Sequence, residues 1–391
     1  MYSEELKDLG FVIFRQKSGK GIKPHVFVRF KSNEGKLLTF SVDTTRTAST
    51  QPQPDAYLIT HAHSDHHGKS AMLSEKSWCS QETAKALEIR YEKEYKGSVF
   101  ELGKTIEICG VRVQTFDVGH TPGSTAFFWE NELGTKILIT GDVKNPSLLP
   151  KCDVLLTEAS YGDPNDPNCH FKDDIKSMRQ IILSHQEEQN IALGAYEFGK
   201  SQKAVSLLRE MGYAGPIAMN EKALSLTKNF VQNAGELVEL GGGSYTGQIR
   251  AVSRSQTELA ARIDGNRAAA QTRIYSYSYT EVSAASKSGS CGISIVPISE
   301  LASFGPETRK YVLTCRSDYP FENIRISDHL DVDGLTQMVK DLSPKVTVVY
   351  HPDKSPRTDR FAEHLEKSGF KAYSINRIQN IADDVKINNA V

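Results

Sequence analysis

Short apolar runs separated by turn-forming residues dominate the first part of the chain. Residues 11–14, 25–30 and 37–42 are rich in aromatic and β-branched side chains, and glycine, lysine and asparagine fill the gaps, so the pattern predicts three strands. Ala56-Tyr57-Leu58-Ile59 has the length of a fourth. From 69 to 95 the chain turns polar and predicts helix, with Ser80-Gln81-Glu82-Thr83 as a helix start. Strands return at 105–108, 111–116, 136–140 and 153–157. A helix is predicted over roughly 172–189 and a strand over 190–196. Further helices are expected near 199–211 and 220–234, followed by a glycine turn at 241–243. A last buried strand, Val346 to Tyr350, ends at His351.

Polar clusters fall at the ends of these strands. Four histidines and one aspartate, His61, His63, Asp65, His66 and His67, lie within seven residues after Ala56–Ile59. Such a cluster repels itself when protonated, and imidazole and carboxylate are donors that suit Zn²⁺, so the segment points to a metal. His120 follows the strand 111–116 and precedes a Pro-Gly turn, and Asp142 follows Gly141 at the tip of 136–140. Asp43 ends the third strand, where an ordinary turn aspartate is the other reading.

Composition narrows the class. With 391 residues the chain suffices for two domains, or one large domain with an insertion. The net charge of −1 argues against a strongly basic nucleic-acid binder, although Arg250, Arg254, Arg262, Arg267 and Arg273 face only Glu258 and Asp264. That stripe reads equally as a phosphate-facing surface or a solvated helix face. No apolar run approaches the ~20 residues needed to span a bilayer, and the first residues lack a secretion pattern, so an intracellular protein is expected. Cys79, Cys109, Cys152, Cys169, Cys291 and Cys315 form no C-x-x-C pair and are read as reduced core or incidental thiols.

His61-x-His63-x-Asp65-His66, with His120 and Asp142 downstream in order, resembles the motif set of the metallo-β-lactamase superfamily. The second half resembles the β-CASP nucleases of that superfamily. Glu158 precedes a small-residue Tyr161-Gly162 turn, Gly199-Lys200 opens a helix, Ser327-Asp328-His329 is similar to the form in ligase-associated exonucleases, and His351 ends a buried strand. At the last motif the family usually carries His-Gly-Glu, whereas this chain has His351-Pro352-Asp353. The resemblance implies an α/β fold, a four-layered αββα sandwich with an inserted β-CASP-like α/β domain. Its expected division is 1–194 and 306–391 for the core and 195–305 for the insertion.

The resemblance further implies two Zn²⁺ per chain, with Mn²⁺ as the other candidate. His61, His63 and His120 would hold one ion, Asp65, His66 and His351 the other, and Asp142 would bridge, with Asp43 in support. His67 stands outside this spacing and is read as a neighbour. The implied activity is hydrolysis of DNA or RNA phosphodiester bonds by an exonuclease, in which a hydroxide shared by the metals attacks and His329, oriented by Glu158, protonates the leaving oxygen; Asp65 is counted with these two catalytic residues. The expected partner is a nucleic acid with a single-stranded end, not a membrane, and protein partners are left open. Lys200, Arg250 and Arg254 are candidates for phosphate contact. Lys200 is read equally as an exposed helix lysine. Two other readings stand beside this one: a glyoxalase II-like hydrolase, suggested by Gly119-His120-Thr121-Pro122-Gly123-Ser124, and a non-catalytic scaffold.

Overall fold

The computed structural model describes residues 2–18, 21–45, 53–185, 190–241, 248–249, 274–276, 292–351 and 356–378. The chain folds as two units, Met1–Phe171 with Asp328–Val391, and Lys172–Ser327.

In the first unit two sheets face each other. One has six strands in sequence order, Phe11–Ser18, Gly21–Lys31, Leu37–Val42, Ala56–Leu58, Ser77–Ser80 and Ser98–Phe100. The other has seven, running from Ala372–Ser374 through Val346–Val349, Val154–Thr157, Lys136–Ile139, Thr125–Glu130 and Val111–Asp117 to Thr105–Ile108. Alternation along each strand turns one set of side chains inward, and the inner faces share one core. Phe30, Phe40 and Leu58 of the first sheet meet Phe127, Trp129 and Leu156 of the second. Trp129 is the largest of these, its ring centroid 5.4 Å from both Phe30 and Phe40. The helix Gln81–Tyr91 packs on Ser77–Ser80 and Ser98–Phe100, and the helix Arg357–Lys367 on Val346–Val349 and Ala372–Ser374. The layers are therefore α, β, β, α.

The second unit is α/β. Its sheet is parallel around Ile191–Gly194, which lies between Ile293–Val296 and Arg309–Leu313. The helices Ile175–His185, Lys200–Glu210 and Glu221–Phe230 bury Met178, Val205 and Leu224 in one cluster with Ile191, Leu193 and Ile295.

Two expectations differ from this architecture. The stretch 69–95 is not continuously helical: Ser77–Ser80 is a strand between the helices Lys69–Met72 and Gln81–Tyr91. Parallel pairing on both sides overrides the polar look of Ser-Trp-Cys-Ser, while Ser80 caps the second helix by accepting from the Thr83 N–H. The units divide at 171/172 and 327/328, not at 194/195 and 305/306. Helix Ile175–His185 and strands Ile191–Gly194, Arg309–Leu313 and Glu322–Ile324 all build the second unit.

Cys79, Cys152, Cys169 and Cys315 are buried, Cys109 is exposed, and Cys291 lies outside the described residues. Among the described residues no helix is long and apolar enough to cross a membrane.

Candidate metal centre

Asp43 organises the first ligand loop. It follows Leu37–Val42 with φ 52°, a left-handed conformation that aspartate tolerates better than most residues. Its buried carboxylate receives three donors: the Thr60 N–H (2.9 Å), the Thr60 hydroxyl (2.9 Å) and His66 Nδ1 (2.8 Å). Burial pushes this carboxyl up, and His66 and Thr60 pull it back. Because every neighbour here donates, the ionised form satisfies the geometry best.

The proton inventory follows. His66 gives its Nδ1 proton to Asp43, so Nε2 is the nitrogen it can offer to a metal. The Thr60 hydroxyl gives its proton to Asp43, so at 3.0 Å it accepts from His61 Nδ1, and His61 also presents an Nε2 lone pair. Gly141 keeps this chain compact. At φ +58° a Cβ there would stand 2.7 Å from both Thr60 Cβ and Oγ1.

His120 is held by a different turn. Ser124 Oγ accepts from the N–H groups of His120 and Thr121, and His120 Nδ1 donates to the Asp328 carbonyl at 2.9 Å. Its Nε2 is then a third lone pair, 3.0 Å from His63 Nδ1.

These groups converge. Ligand-type atoms of His61, His63, His120 and Asp142 all lie within 4.8 Å of one another, and so do those of Asp65, His66 and His351. Asp142 connects the groups: Oδ2 is 3.6 Å from His61 Nε2, 3.6 Å from His120 Nε2 and 3.4 Å from His66 Nε2, and Oδ1 is 3.8 Å from His351 Nε2. Asp65 lies 3.7 Å from His66 Nε2 and is half exposed.

The electrostatics favour a cation. Burial, and then His66 next to it, hold His61 well below the ordinary imidazole range; burial and then His329 do the same to His120. His66 is buried too, yet the carboxylates of Asp142, Asp65 and Asp43 raise it well above that range. Asp142 is driven far down, against its burial, chiefly by His66. Among the described residues His61 Nε2, His66 Nε2 and Asp142 Oδ1 are buried without a hydrogen-bond partner. Such atoms are costly unless something binds them, and imidazole nitrogen with carboxylate oxygen is a donor set for a divalent metal. The residues present fit such an ion.

A third trio, Asp142, Glu158 and His329, is also close. Glu158, however, is saturated by donors: Oε1 accepts from the Val143 N–H at 2.6 Å, and Oε2 from the Ser160 N–H at 3.2 Å and from His329 Nδ1 at 2.9 Å. Glu158 thus orients His329, whose ring centroid is 4.4 Å from that of His120 and whose Nδ1 is 4.0 Å from Asp142 Oδ2. The His329 loop is tied to the Asp142 loop through Leu330 N–H to the Val143 carbonyl (2.9 Å) and Lys144 Nζ to the His329 carbonyl (3.3 Å).

The remaining candidates lie elsewhere. Lys200 begins the helix Lys200–Glu210 in the second unit, is buried, and holds its ammonium 5.1 Å from the Tyr196 ring centroid. Two nearby N–H groups are taken: Gly199 donates to Gln202 Oε1 and Ser201 to the Tyr196 carbonyl. This burial differs from the reading of Lys200 as an exposed helix lysine. Arg250 and Arg254 lie outside the described residues. The roles of Thr60, Ser124 and Lys144 do not follow from the motifs; the local signal for Thr60 is a small polar residue at the junction of an apolar run and the first histidine.

A strand-edge cluster of histidines and aspartates on an αββα sandwich resembles the metal site of the metallo-β-lactamase superfamily. The metallo-beta-lactamase superfamily profile matches residues 40–185. It is 28% identical over 173 residues to the 5' exonuclease Apollo of Danio rerio, covering 39% of this chain and 30% of that protein. It is 24% identical over 224 residues to ribonuclease TTHA0252 of Thermus thermophilus, covering 47% and 51%. The chain thus spans about a third and about half of these relatives, which support the resemblance to the β-CASP nucleases. A crystal structure of a protein of unknown function from Enterococcus faecalis V583 superposes with TM-score 0.62 at 11% identity, covering 93% of this chain and 97% of that one. That likeness shows the fold.

Proposed function

We propose that the protein is a zinc-dependent nuclease that hydrolyses phosphodiester bonds of DNA or RNA and works as an exonuclease. His61, His63, His120 and Asp142 would hold one Zn²⁺, and Asp65, His66, His351 and Asp142 the other. Bound there, the ions would supply an activated water and neutralise charge growing on the phosphate oxygens. The protein's own part is proton delivery and positioning. Glu158 engages His329 Nδ1 at 2.9 Å, so Nε2 is the atom available to protonate a departing sugar oxygen. The carboxylate fixes the orientation of the ring. Asp43 fixes the tautomer of His66 directly and that of His61 through Thr60.

The Glu158–His329 pair beside the cluster is the observation that carries this reading. A thioester hydrolase has no need of a second acid–base pair there. A scaffold has no need of seven retained donors. The test is a matched time course on end-labelled single-stranded DNA and RNA, with His329→Ala alongside. Wild type should release short products from one end, and His329→Ala should lose about 10²- to 10⁴-fold in rate, the usual contribution of a general acid, while keeping its metal. Zinc-loaded wild type that leaves both substrates intact overturns the proposal.

A further inference from the structure

His67 directly follows the cluster, but both its nitrogens are engaged elsewhere. Nε2 is 3.0 Å from the Ala62 carbonyl, which only accepts, so Nε2 carries the proton; Nδ1 then accepts from the Tyr91 hydroxyl at 3.2 Å. The same Ala62 carbonyl also accepts from Arg90 Nη1 at 2.8 Å. Ala62 is the residue between His61 and His63. Arg90 and Tyr91 are the last two residues of the helix Gln81–Tyr91.

The opposite end of that helix grips the other ligand loop. Ser80 Oγ donates to the Gly123 carbonyl at 2.7 Å and Thr83 Oγ1 donates to it at 3.1 Å, with Thr125 Oγ1 adding a third bond at 2.9 Å. Gly123 lies in the turn that holds His120, and the fit is close: at φ +83° a Cβ on it would come within 2.6 Å of Glu82 Cβ and Ser80 Oγ. Ser80, Thr83 and His67 are fully buried, so these bonds have little competition from water.

We infer that the helix Gln81–Tyr91 is a strut that sets the spacing between the His61–His63 loop and the His120 turn, with Ser80 and Thr83 at one end and Arg90 and His67 at the other as positioning residues for the metal centre. Ser80 and Arg90 are ten residues apart, roughly 15 Å along a helix, so the two grips do not touch. Side-chain donors on backbone carbonyls hold each loop at a point beside its ligands, and the helix makes the two points one rigid body. The inference rests on reading His61, His63 and His120 as ligands.

The test is a double-mutant cycle read on metal, not on activity. One variant removes the first grip, Ser80→Ala with Thr83→Val; a second removes the other, His67→Phe with Arg90→Met; a third combines them. Zinc affinity is measured by competition with a chromogenic chelator, and the site geometry by the visible spectrum of the Co²⁺-loaded protein. Each grip variant should weaken zinc by about 10- to 100-fold, as loss of outer-shell support does elsewhere, and shift the cobalt bands. Because losing either end frees the strut, the combined variant should weaken zinc about as much as the worse single grip, not by the product expected of independent distant sites. Ser80→Thr and His67→Gln with Arg90→Lys, which keep the donors, should restore affinity and spectrum, separating positioning from misfolding. Unchanged affinity and spectrum in both grip variants, or effects that simply multiply, overturn the inference. A wild type that binds neither zinc nor cobalt overturns the ligand assignment beneath it instead.

Discussion

Asp43→Asn tests the support of the cluster with almost no change of shape. Asparagine also tolerates the left-handed conformation at φ 52°, so the backbone need not move. Its carbonyl can keep the Thr60 N–H, but its NH₂ then faces two former donors, the Thr60 hydroxyl and His66 Nδ1. His66 relieves the conflict by giving up its Nδ1 proton and keeping one on Nε2, the nitrogen 3.4 Å from Asp142 that the metal needs. Leaving one or two buried donors unpaired costs about 1–3 kcal/mol each, so the apo protein should lose roughly 2–4 kcal/mol, a large part of a typical 5–15 kcal/mol. Metal affinity should fall about 10- to 100-fold. Urea unfolding of chelator-treated protein reads the first effect, and zinc competition reads the second. An Asp43→Asn protein with the wild-type unfolding midpoint and zinc affinity within threefold of wild type would refute the reasoning.

Arg209 is the corresponding knot of the second unit. It donates to the carbonyls of Ala234, Tyr213, Gly215 and Glu236 at 2.7–3.0 Å, so Arg209→Met should cost roughly 3–5 kcal/mol, seen as faster proteolysis of residues 200–241, and Arg209→Lys should recover less than half because one ammonium cannot copy the fork. Asp166 offers a pH test. Against the pull of burial, the Asn168 N–H and the Arg357 guanidinium hold its carboxyl below the ordinary 3.8. A depressed folded value stabilises above the unfolded value and is lost as pH falls through the folded one. The stability gap between wild type and Asp166→Asn should therefore be full above about pH 5 and shrink progressively below 4 in unfolding titrations, whereas a gap constant down to pH 2 would contradict the ion pair.

Much of the candidate centre is legible in the sequence because it obeys a simple rule. A β-rich run ends, and polar donors follow within a few residues, as at Asp43, His61, His120, Asp142 and His351. The supporting contacts are less legible because they join residues far apart in sequence. Nothing local to Arg90 announces the Ala62 carbonyl, 28 positions away, and nothing local to His120 announces the Asp328 carbonyl, 208 away. Ser77–Ser80 escapes a local reading because its strand character comes from its neighbours, not from its composition. The unit boundary escapes it for a related reason: amphipathic periodicity over 175–185 reports that the helix packs, but not on which sheet.

The most direct check on the account is the metal content of the purified chain after loading and desalting, measured by elemental analysis beside His61→Ala and His351→Ala. Two equivalents of zinc in wild type, with each substitution emptying mainly its own half, are predicted. Wild-type protein that retains no divalent metal, or that holds it undiminished when both histidines are removed, would contradict it.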